Sequence, residues 1–256
     1  MQPKTHILKV WGDLACFTRP EMKVERFSYP IITPSAARGI FDAIYCKSKE
    51  FRWQITQIEL LKHPSYTQNE ILKPPSYIAL RRNEVKDKIS ESNVKKWIKG
   101  NTEVEPIWAD GMGDTKGRTQ RQTMALKNVA YLIHAKIIPR SGFENRMTAL
   151  NEQFKRRASK GKCIYQPYLG CREFPAYFDY LENANQNHDT LPVDMENLGW
   201  MLYDVFDLDR FYEKENWKKE NHNLCISLFK PVVKNGVMIV PEYSSNEVYK
   251  GVRRER

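Results

Sequence analysis

Tyr45 is the side chain whose neighbours most suggest acid–base chemistry. It follows Arg38 by seven residues and is itself followed by Lys47 and Lys49. Nearby positive charge favours a phenolate, so such a tyrosine could have a lowered pKa and accept a proton. The alternative is an ordinary tyrosine at the edge of the core, with its hydroxyl in water. From the residues alone, the interpretation as an ordinary tyrosine is favoured.

A second suggestive stretch is residues 154–178, in which basic side chains precede aromatic ones. Its members are Lys155, Arg156, Arg157, Lys160 and Lys162, then Tyr165, Tyr168, Phe174 and Tyr177. Cations neutralise phosphates and aromatic rings stack on bases, so this composition suits a nucleic acid. The alternative is a cationic helix end followed by a buried sheet edge.

Neither the cysteines nor the histidines have the spacing of a metal site. The five cysteines are scattered without a CxxC pair, and the five histidines form no HExxH motif. We therefore expect no metal and no other cofactor, and a reduced, cytoplasmic protein. His134 lies on a predicted strand, where a lone histidine is more often structural than catalytic.

The composition indicates a folded, basic protein of one large or two small domains. A hydrophobic content of 41% argues against global disorder, and a formal charge of +10 favours a nucleic-acid partner. The N-terminus lacks the long apolar run of a signal peptide. No apolar run is long enough to cross a bilayer, so we expect no membrane partner.

Hydrophobic periodicity predicts an α+β fold. Thr33 and Pro34 are typical of a helix start, and Asn235-Gly236 is a strong hairpin signal. The predicted elements are strands at 5–11, 51–61, 128–138, 223–233 and 237–243, and helices from 33 and at 145–157. Their order predicts a ferredoxin-like domain at 1–182, with a basic excursion at about 74–127, and a C-terminal antiparallel β-rich part at 183–256.

Several motifs in order make the chain resemble a known family. They are WGDLACFTRPEMKVERFSYP, TPSAARGIFDAIYCK, RRNEVK, TQRQTMALKNVAYLIHAKI and RRASKGKCIYQPYLGCREFPAYF. They are similar to the type I-C CRISPR-associated subunit known as Cas five, subtype d, of the repeat-associated RNA-binding superfamily. The resemblance runs from about residue 5 to 180 and continues more loosely through GWMLYDVFD.

This resemblance implies metal-independent cleavage of precursor CRISPR RNA. The substrate's 2′-OH attacks the phosphate and leaves a 2′,3′-cyclic phosphate, so the protein must supply a base, an acid and cations. The processed RNA stays bound by its 5′ handle. The protein then joins the Cascade complex in antiviral defence, beside the backbone and large subunits.

One part of the family's pattern is missing here. The resemblance assigns catalysis to a tyrosine at the end of the first helix, which matches Tyr45, and to a Lys-His pair before the second helix. The corresponding positions fall near Ala149 and Leu150. Either the alignment is slipped, another cation substitutes, or cleavage is weak.

We therefore predict Tyr45, Arg156 and His134 as catalytic residues. The predicted RNA-binding residues are Arg19, Lys23, Arg26, Arg38, Lys47, Arg81, Arg82, Arg118, Arg121, Arg146, Lys155, Arg157 and Lys160. The main alternative is a non-catalytic Cascade subunit that only binds and caps the 5′ handle of the CRISPR RNA. A weaker alternative is an accessory protein that binds or cuts DNA.

Overall fold

The fold consists of two mainly antiparallel sheets and three α-helices in the described part of the chain. A computed structural model describes residues 4–22, 24–64, 76–85, 91–100, 118–183, 190–209 and 224–251. The elements in order are β1 (Thr5–Ala15), β2 (Arg26–Phe27), α1 (Pro34–Ile44), β3 (Phe51–Leu60), β4 (Ser76–Val85), α2 (Glu91–Ile98), β5 (Arg118–Pro139), a 3-10 turn (Glu144–Arg146), α3 (Met147–Ala158), β6 (Tyr177–Leu181), β7 (Met201–Phe206), β8 (Leu224–Phe229), β9 (Val233–Lys234), β10 (Val237–Ile239) and β11 (Tyr249–Lys250).

The large sheet confirms the ferredoxin-like prediction. Its strand order is β6-β1-β5-β3-β10-β9, with β2 and β4 attached to β5. Strands β1, β3, β5 and β6, with α1 and α3 as connections, form the β-α-β-β-α-β unit, and its neighbouring strands are antiparallel. Both helices pack against the same core cluster and contact each other.

Helix α1 forms where the capping residues predict it. The Thr33 side chain accepts a hydrogen bond of 3.2 Å from the Ala36 N–H, and Pro34 occupies the first turn. Phe41 faces the core and packs against Trp53 of β3, with ring centroids 4.9 Å apart. Phe154 of α3 completes this aromatic cluster, 4.5 Å from Trp53 between ring centroids. Three elements thus share one core.

The excursion contains a long hairpin. Residues Ser76–Val85 pair with Arg118–Lys127. Strand β5 therefore begins ten residues before the strand that periodicity predicted at 128–138. Helix α2 (Glu91–Ile98) lies between the two strands in sequence and carries the exposed Trp97. The Gly-rich run at 110–117 lies outside the described residues.

The C-terminal strands divide between the two sheets, which the sequence did not indicate. β8 joins the small sheet β11-β8-β7, whereas β9 and β10 extend the large sheet through β3. The Asn-Gly turn is confirmed: both residues have positive φ, and a Cβ on Gly236 would lie 2.0 Å from the Leu191 oxygen. The boundary at residue 182 stays a prediction about which parts fold independently.

No helix in the described ranges is both long enough and apolar enough to cross a bilayer.

His6 is a buried histidine that makes stability depend on pH. Its Nε2 lies 2.7 Å from Asn151 Oδ1 of α3, and its ring contacts Phe154 with centroids 4.7 Å apart. Burial lowers the pKa of His6 to about 4, although the hydrogen bond to Asn151 opposes this shift. The folded protein therefore holds a neutral imidazole at pH values where the unfolded chain is already protonated.

We expect the free energy of unfolding to fall as the pH drops from about 6.5 to about 4, because the unfolded state then binds more protons. The share due to His6 is about 3 kcal/mol, from a shift of roughly two and a half pKa units at 1.36 kcal/mol each. Urea unfolding of the unaltered protein and His6→Gln across this range would measure it. Parallel pH profiles for the two proteins would contradict this assignment.

Candidate active site

Tyr45 is held rigidly at the end of α1. Its backbone N–H donates to the Phe41 carbonyl at 2.9 Å, and its own carbonyl accepts from Trp53 Nε1 at 3.0 Å. The side chain is only 6% exposed and packs against the Phe51 ring, with centroids 5.4 Å apart. The position of the hydroxyl is therefore fixed by α1 and β3 together.

The hydroxyl of Tyr45 is neutral at physiological pH. Burial raises its pKa above the ordinary value, and the positive charge of Lys47 only partly opposes this. The interpretation of a lowered pKa is wrong, because loss of solvent outweighs the nearby cations. The hydroxyl can donate a hydrogen bond or a proton, which a phenolate could not do.

Two cations near Tyr45, Lys47 and Arg146, are joined by the carboxylate of Glu50. Glu50 Oε1 accepts from Lys47 Nζ at 3.0 Å, and Glu50 Oε2 lies 3.0 Å from Arg146 Nη1. We call this group of four residues the Tyr45 cluster: Tyr45, Lys47, Glu50 and Arg146. Lys47, Glu50 and Arg146 all interact electrostatically with the Tyr45 hydroxyl, which indicates that they lie near it. Two cations and a neutral hydroxyl thus meet between the end of α1 and the start of α3.

Arg157 contributes a further cation at the end of α1. Its Nε donates to the Ile44 carbonyl at 2.7 Å, and the Ile164 N–H donates to the Ala43 carbonyl at 2.6 Å. Helix ends leave such carbonyls without partners inside the helix, and a cation there is favourable. Arg157 therefore holds α3 to α1 next to Tyr45.

The positions aligned with the family's Lys-His pair do not carry acid–base groups. Ala149 is exposed, Leu150 is buried in the core, and Asn151 binds His6. Arg146 lies one helical turn before Ala149 and reaches Glu50. A cation is thus present near Tyr45, displaced by three residues from the aligned position.

His134 lies on the other face of the large sheet. Its neighbours Ile133 and Ala135 point into the core that contains α1 and α3, and side chains alternate along a strand. Its Nε2 contacts Glu59 Oε1 at 2.9 Å. The sheet therefore separates His134 from Tyr45, and we do not retain it as a catalytic residue.

Arg156 is exposed on α3 and contacts the Gln153 side chain. Among the described contacts, none joins it to the Tyr45 cluster. Sequence reasoning placed the charge-stabilising arginine here and missed Glu50. The signal that could have revealed Glu50 is its place as a single carboxylate after Lys47 and Lys49.

Several predicted RNA-binding residues already have protein partners. Arg38 pairs with Asp204 at 2.7 Å, Arg26 with Glu173 at 2.8 Å and Lys155 with Glu182 at 2.8 Å. The Arg19 guanidinium lies 4.9 Å from the Tyr29 ring centroid. Arg38 is largely buried, so we assign it a structural role.

The remaining predicted RNA-binding residues differ in exposure. Arg81 on β4 and Lys160 after α3 are exposed, and Arg121 on β5 is half-buried. Lys23 and the side chains of Arg82 and Arg118 lie outside the described residues.

The aromatic stretch is partly core and partly surface. Phe174 is buried, whereas Tyr165 and Tyr177 are exposed. Tyr177 stacks on Trp11 of β1, with centroids 6.2 Å apart. The interpretation as a buried sheet edge applies to Phe174, whereas nucleic-acid binding by the exposed tyrosines stays a prediction.

Within the described ranges, no group of three or more His, Cys, Asp and Glu side chains is placed to hold a metal ion.

Comparison with known proteins identifies relatives over almost the whole chain. One is the CRISPR pre-crRNA endoribonuclease Cas5d of Mannheimia succiniciproducens, 40% identical over 94% of this chain and 96% of the relative. The CRISPR pre-crRNA endoribonuclease Cas5d of Thermus thermophilus is 41% identical over 67% of this chain and 62% of the relative.

The fold also has a solved counterpart. A crystal structure described as that of a CRISPR-associated protein matches 96% of this chain and 97% of its own, with a TM-score of 0.57 and 19% identity. A family model described as CRISPR-associated protein (Cas_Cas5) matches residues 5–241. Because the family match and the first relative both cover nearly the full length, this chain belongs to the Cas5d family of CRISPR-associated proteins.

Proposed function

We propose that this chain is an endoribonuclease that cuts precursor CRISPR RNA without a metal ion. The names of its relatives support this activity. The structural observation that carries it is the Tyr45 cluster, where a neutral hydroxyl and two cations meet beside the start of α3.

The cluster suits cleavage by the 2′-OH of the RNA. In that reaction the phosphate gains negative charge in the transition state and the 5′ oxygen leaves with a proton. The protonated Tyr45 hydroxyl donates a hydrogen bond to a reacting oxygen. Lys47 and Arg146 stabilise the charge on the phosphate. Glu50 binds both cations and thereby fixes their spacing.

The proposed function includes retention of the product and assembly into a complex. We propose that the processed RNA stays bound by its 5′ handle and that the complex joins the Cascade backbone and large subunits in the cytoplasm. Exposed cations such as Arg81 and Lys160 are available to contact phosphates. DNA is a further candidate partner of the assembled complex.

A second candidate function is binding of the 5′ handle without cleavage. The specific observation in its favour is that Ala149 and Leu150 replace the Lys-His pair. This subunit would bind mature CRISPR RNA with a strong dependence on salt but would leave precursor RNA intact.

Incubation with cognate repeat RNA in EDTA distinguishes the two functions. We expect cleavage in EDTA, with a 2′,3′-cyclic phosphate on the 5′ fragment. Repeat RNA that stays intact at saturating protein would contradict the nuclease and support the binding function. Cutting only after magnesium is added would contradict the mechanism proposed for the Tyr45 cluster.

Arg146→Ala should slow cleavage about 100-fold, in the range seen when one charge-stabilising donor is removed from an active site. Arg146→Lys should recover part of the rate, since it keeps the charge. Arg156→Ala is the matched control, because Arg156 is an exposed arginine of the next helix without a contact to the cluster among the described residues. Single-turnover rates at saturating protein measure the effect. Equal losses in both alanine variants would contradict the role of Arg146.

A further inference from the structure

Cys16 and Cys171 meet where the segment after β1 contacts the loop before β6. The Cys16 N–H donates to the Leu169 carbonyl at 3.0 Å. Gly170 has a φ of +82°, and a Cβ there would lie 2.1 Å from the Cys16 oxygen. Only glycine allows this approach, which brings Cys171 next to Cys16. The two segments are 155 residues apart in sequence and adjacent in space.

The Cys171 thiol has polar partners that favour its ionised form. Its Sγ lies 3.5 Å from the Cys16 carbonyl oxygen, and Arg26 Nη1 donates to this Sγ at 3.2 Å. The hydrogen bond from the Cys16 thiol and the charge of Arg26 lower the pKa of Cys171 below the ordinary thiol value, against the effect of burial. The same contact raises the pKa of Cys16. The ionised form is therefore favoured at Cys171 and the thiol form at Cys16.

The two sulfurs differ in access to solvent. Cys171 lines an open cleft of about 460 Å³ together with Arg26 and Arg172, whereas Cys16 is fully buried. A small reagent entering this cleft meets Cys171 first. Cys16 lies next to it in the protein interior, with its carbonyl oxygen 3.5 Å from Cys171 Sγ.

We propose that Cys171 and Cys16 form a peroxide-sensitive thiol pair. The Cys171 thiolate attacks one oxygen of hydrogen peroxide; an S–O bond forms, the O–O bond breaks, and hydroxide leaves and takes up a proton. The Cys16 sulfur then attacks the sulfenic sulfur. An S–S bond forms, the S–O bond breaks, and water leaves with the proton of the Cys16 thiol. Two thiols are oxidised to a disulfide while one peroxide is reduced to two waters.

Cys46 provides an internal contrast. It is an exposed cysteine, but desolvation by the surrounding chain and the negative charge of Asp42 raise the pKa of its thiol to about 11. Reactivity depends on the thiolate fraction, so the exposed Cys46 should react more slowly than the nearly buried Cys171.

The test is oxidation of the reduced protein by stoichiometric hydrogen peroxide at pH 7, followed by peptide mapping. We expect a Cys16–Cys171 disulfide as the main product, reversible by dithiothreitol. Cys16→Ser should stop at the sulfenic acid, which dimedone traps on Cys171. Cys171→Ser should form neither a disulfide nor a sulfenic acid at Cys16. Cys46→Ser should behave like the unaltered protein.

A second measurement needs no variant. The oxidation rate of Cys171 should rise with pH around a midpoint below the ordinary thiol value of about 8.5. Arg26→Gln should slow the reaction about tenfold at pH 7, because the thiolate fraction falls. Prior oxidation of Cys46, or a midpoint above 8.5 with no disulfide formed, would overturn the proposal.

Discussion

Tyr45→Phe should cut repeat RNA about 100- to 10 000-fold more slowly than the unaltered protein, while binding that RNA equally well. This decrease in the cleavage rate is the one expected when an active site loses one group that transfers a proton. Phenylalanine keeps the ring packing against Phe51 and the backbone contact with Trp53, so the fold should survive. Only the hydroxyl beside Lys47 and Arg146 is removed.

Single-turnover cleavage in EDTA and a separate binding titration would measure the two quantities. Tyr177→Phe is the control, because Tyr177 is an exposed tyrosine of β6. If Tyr45→Phe cut at the rate of this control, Tyr45 would have no catalytic role. A loss of binding in proportion to the loss of cleavage would point to substrate positioning instead.

Arg38→Ala should lower the free energy of unfolding by about 3–5 kcal/mol, the usual cost of leaving a buried charge without its partner. Arg38 Nε lies 2.7 Å from Asp204 Oδ2, its Nη2 lies 3.2 Å from Oδ1, and Asp42 binds the same guanidinium. Burial alone would lower the pKa of Arg38, but these carboxylates outweigh it and raise the pKa. The Asp204 side chain is 1% exposed, so without Arg38 its charge remains buried.

Chemical unfolding would measure this loss. Lys4→Ala is the control: Lys4 pairs with Glu152 on the surface, and we expect a change of about 0–1 kcal/mol. Adding Asp204→Asn to Arg38→Ala should recover part of the stability, because it removes the uncompensated charge. A loss no larger than that of Lys4→Ala, with weaker RNA binding in the folded variant, would restore Arg38 as an RNA contact.

The main elements of the fold were predictable because local signals and hydrophobic pattern agreed. Thr33 and Pro34 marked the start of α1, and the alternation around Ile133 and Ile137 marked β5. Local patterns could not show that β8 and β9 belong to different sheets, since strand pairing depends on distant residues.

The candidate site was only partly predictable. The resemblance identified Tyr45, but the choice of its partners depended on sequence proximity and residue type. His134 had suitable chemistry, and strand alternation correctly placed it opposite Ile133 and Ala135. Sequence could not show that α1 and α3 cover the Ile133 face, and therefore that the sheet separates His134 from Tyr45.

The sequence by itself determined the family, the ferredoxin-like order of elements and the basic character of the chain. Those features follow from motifs, periodicity and composition, which are local or additive. Only the tertiary structure decided which charged side chains are paired within the protein and which lie beside Tyr45. It joins Arg38 to Asp204, 166 residues away, and Arg146 to Glu50 beside Tyr45. It also buries Tyr45, and so reverses the direction of the pKa shift suggested by the neighbouring cations. The physical reason is that solvation and ion pairing depend on distances in space, which α1, β3, α3 and β7 set jointly.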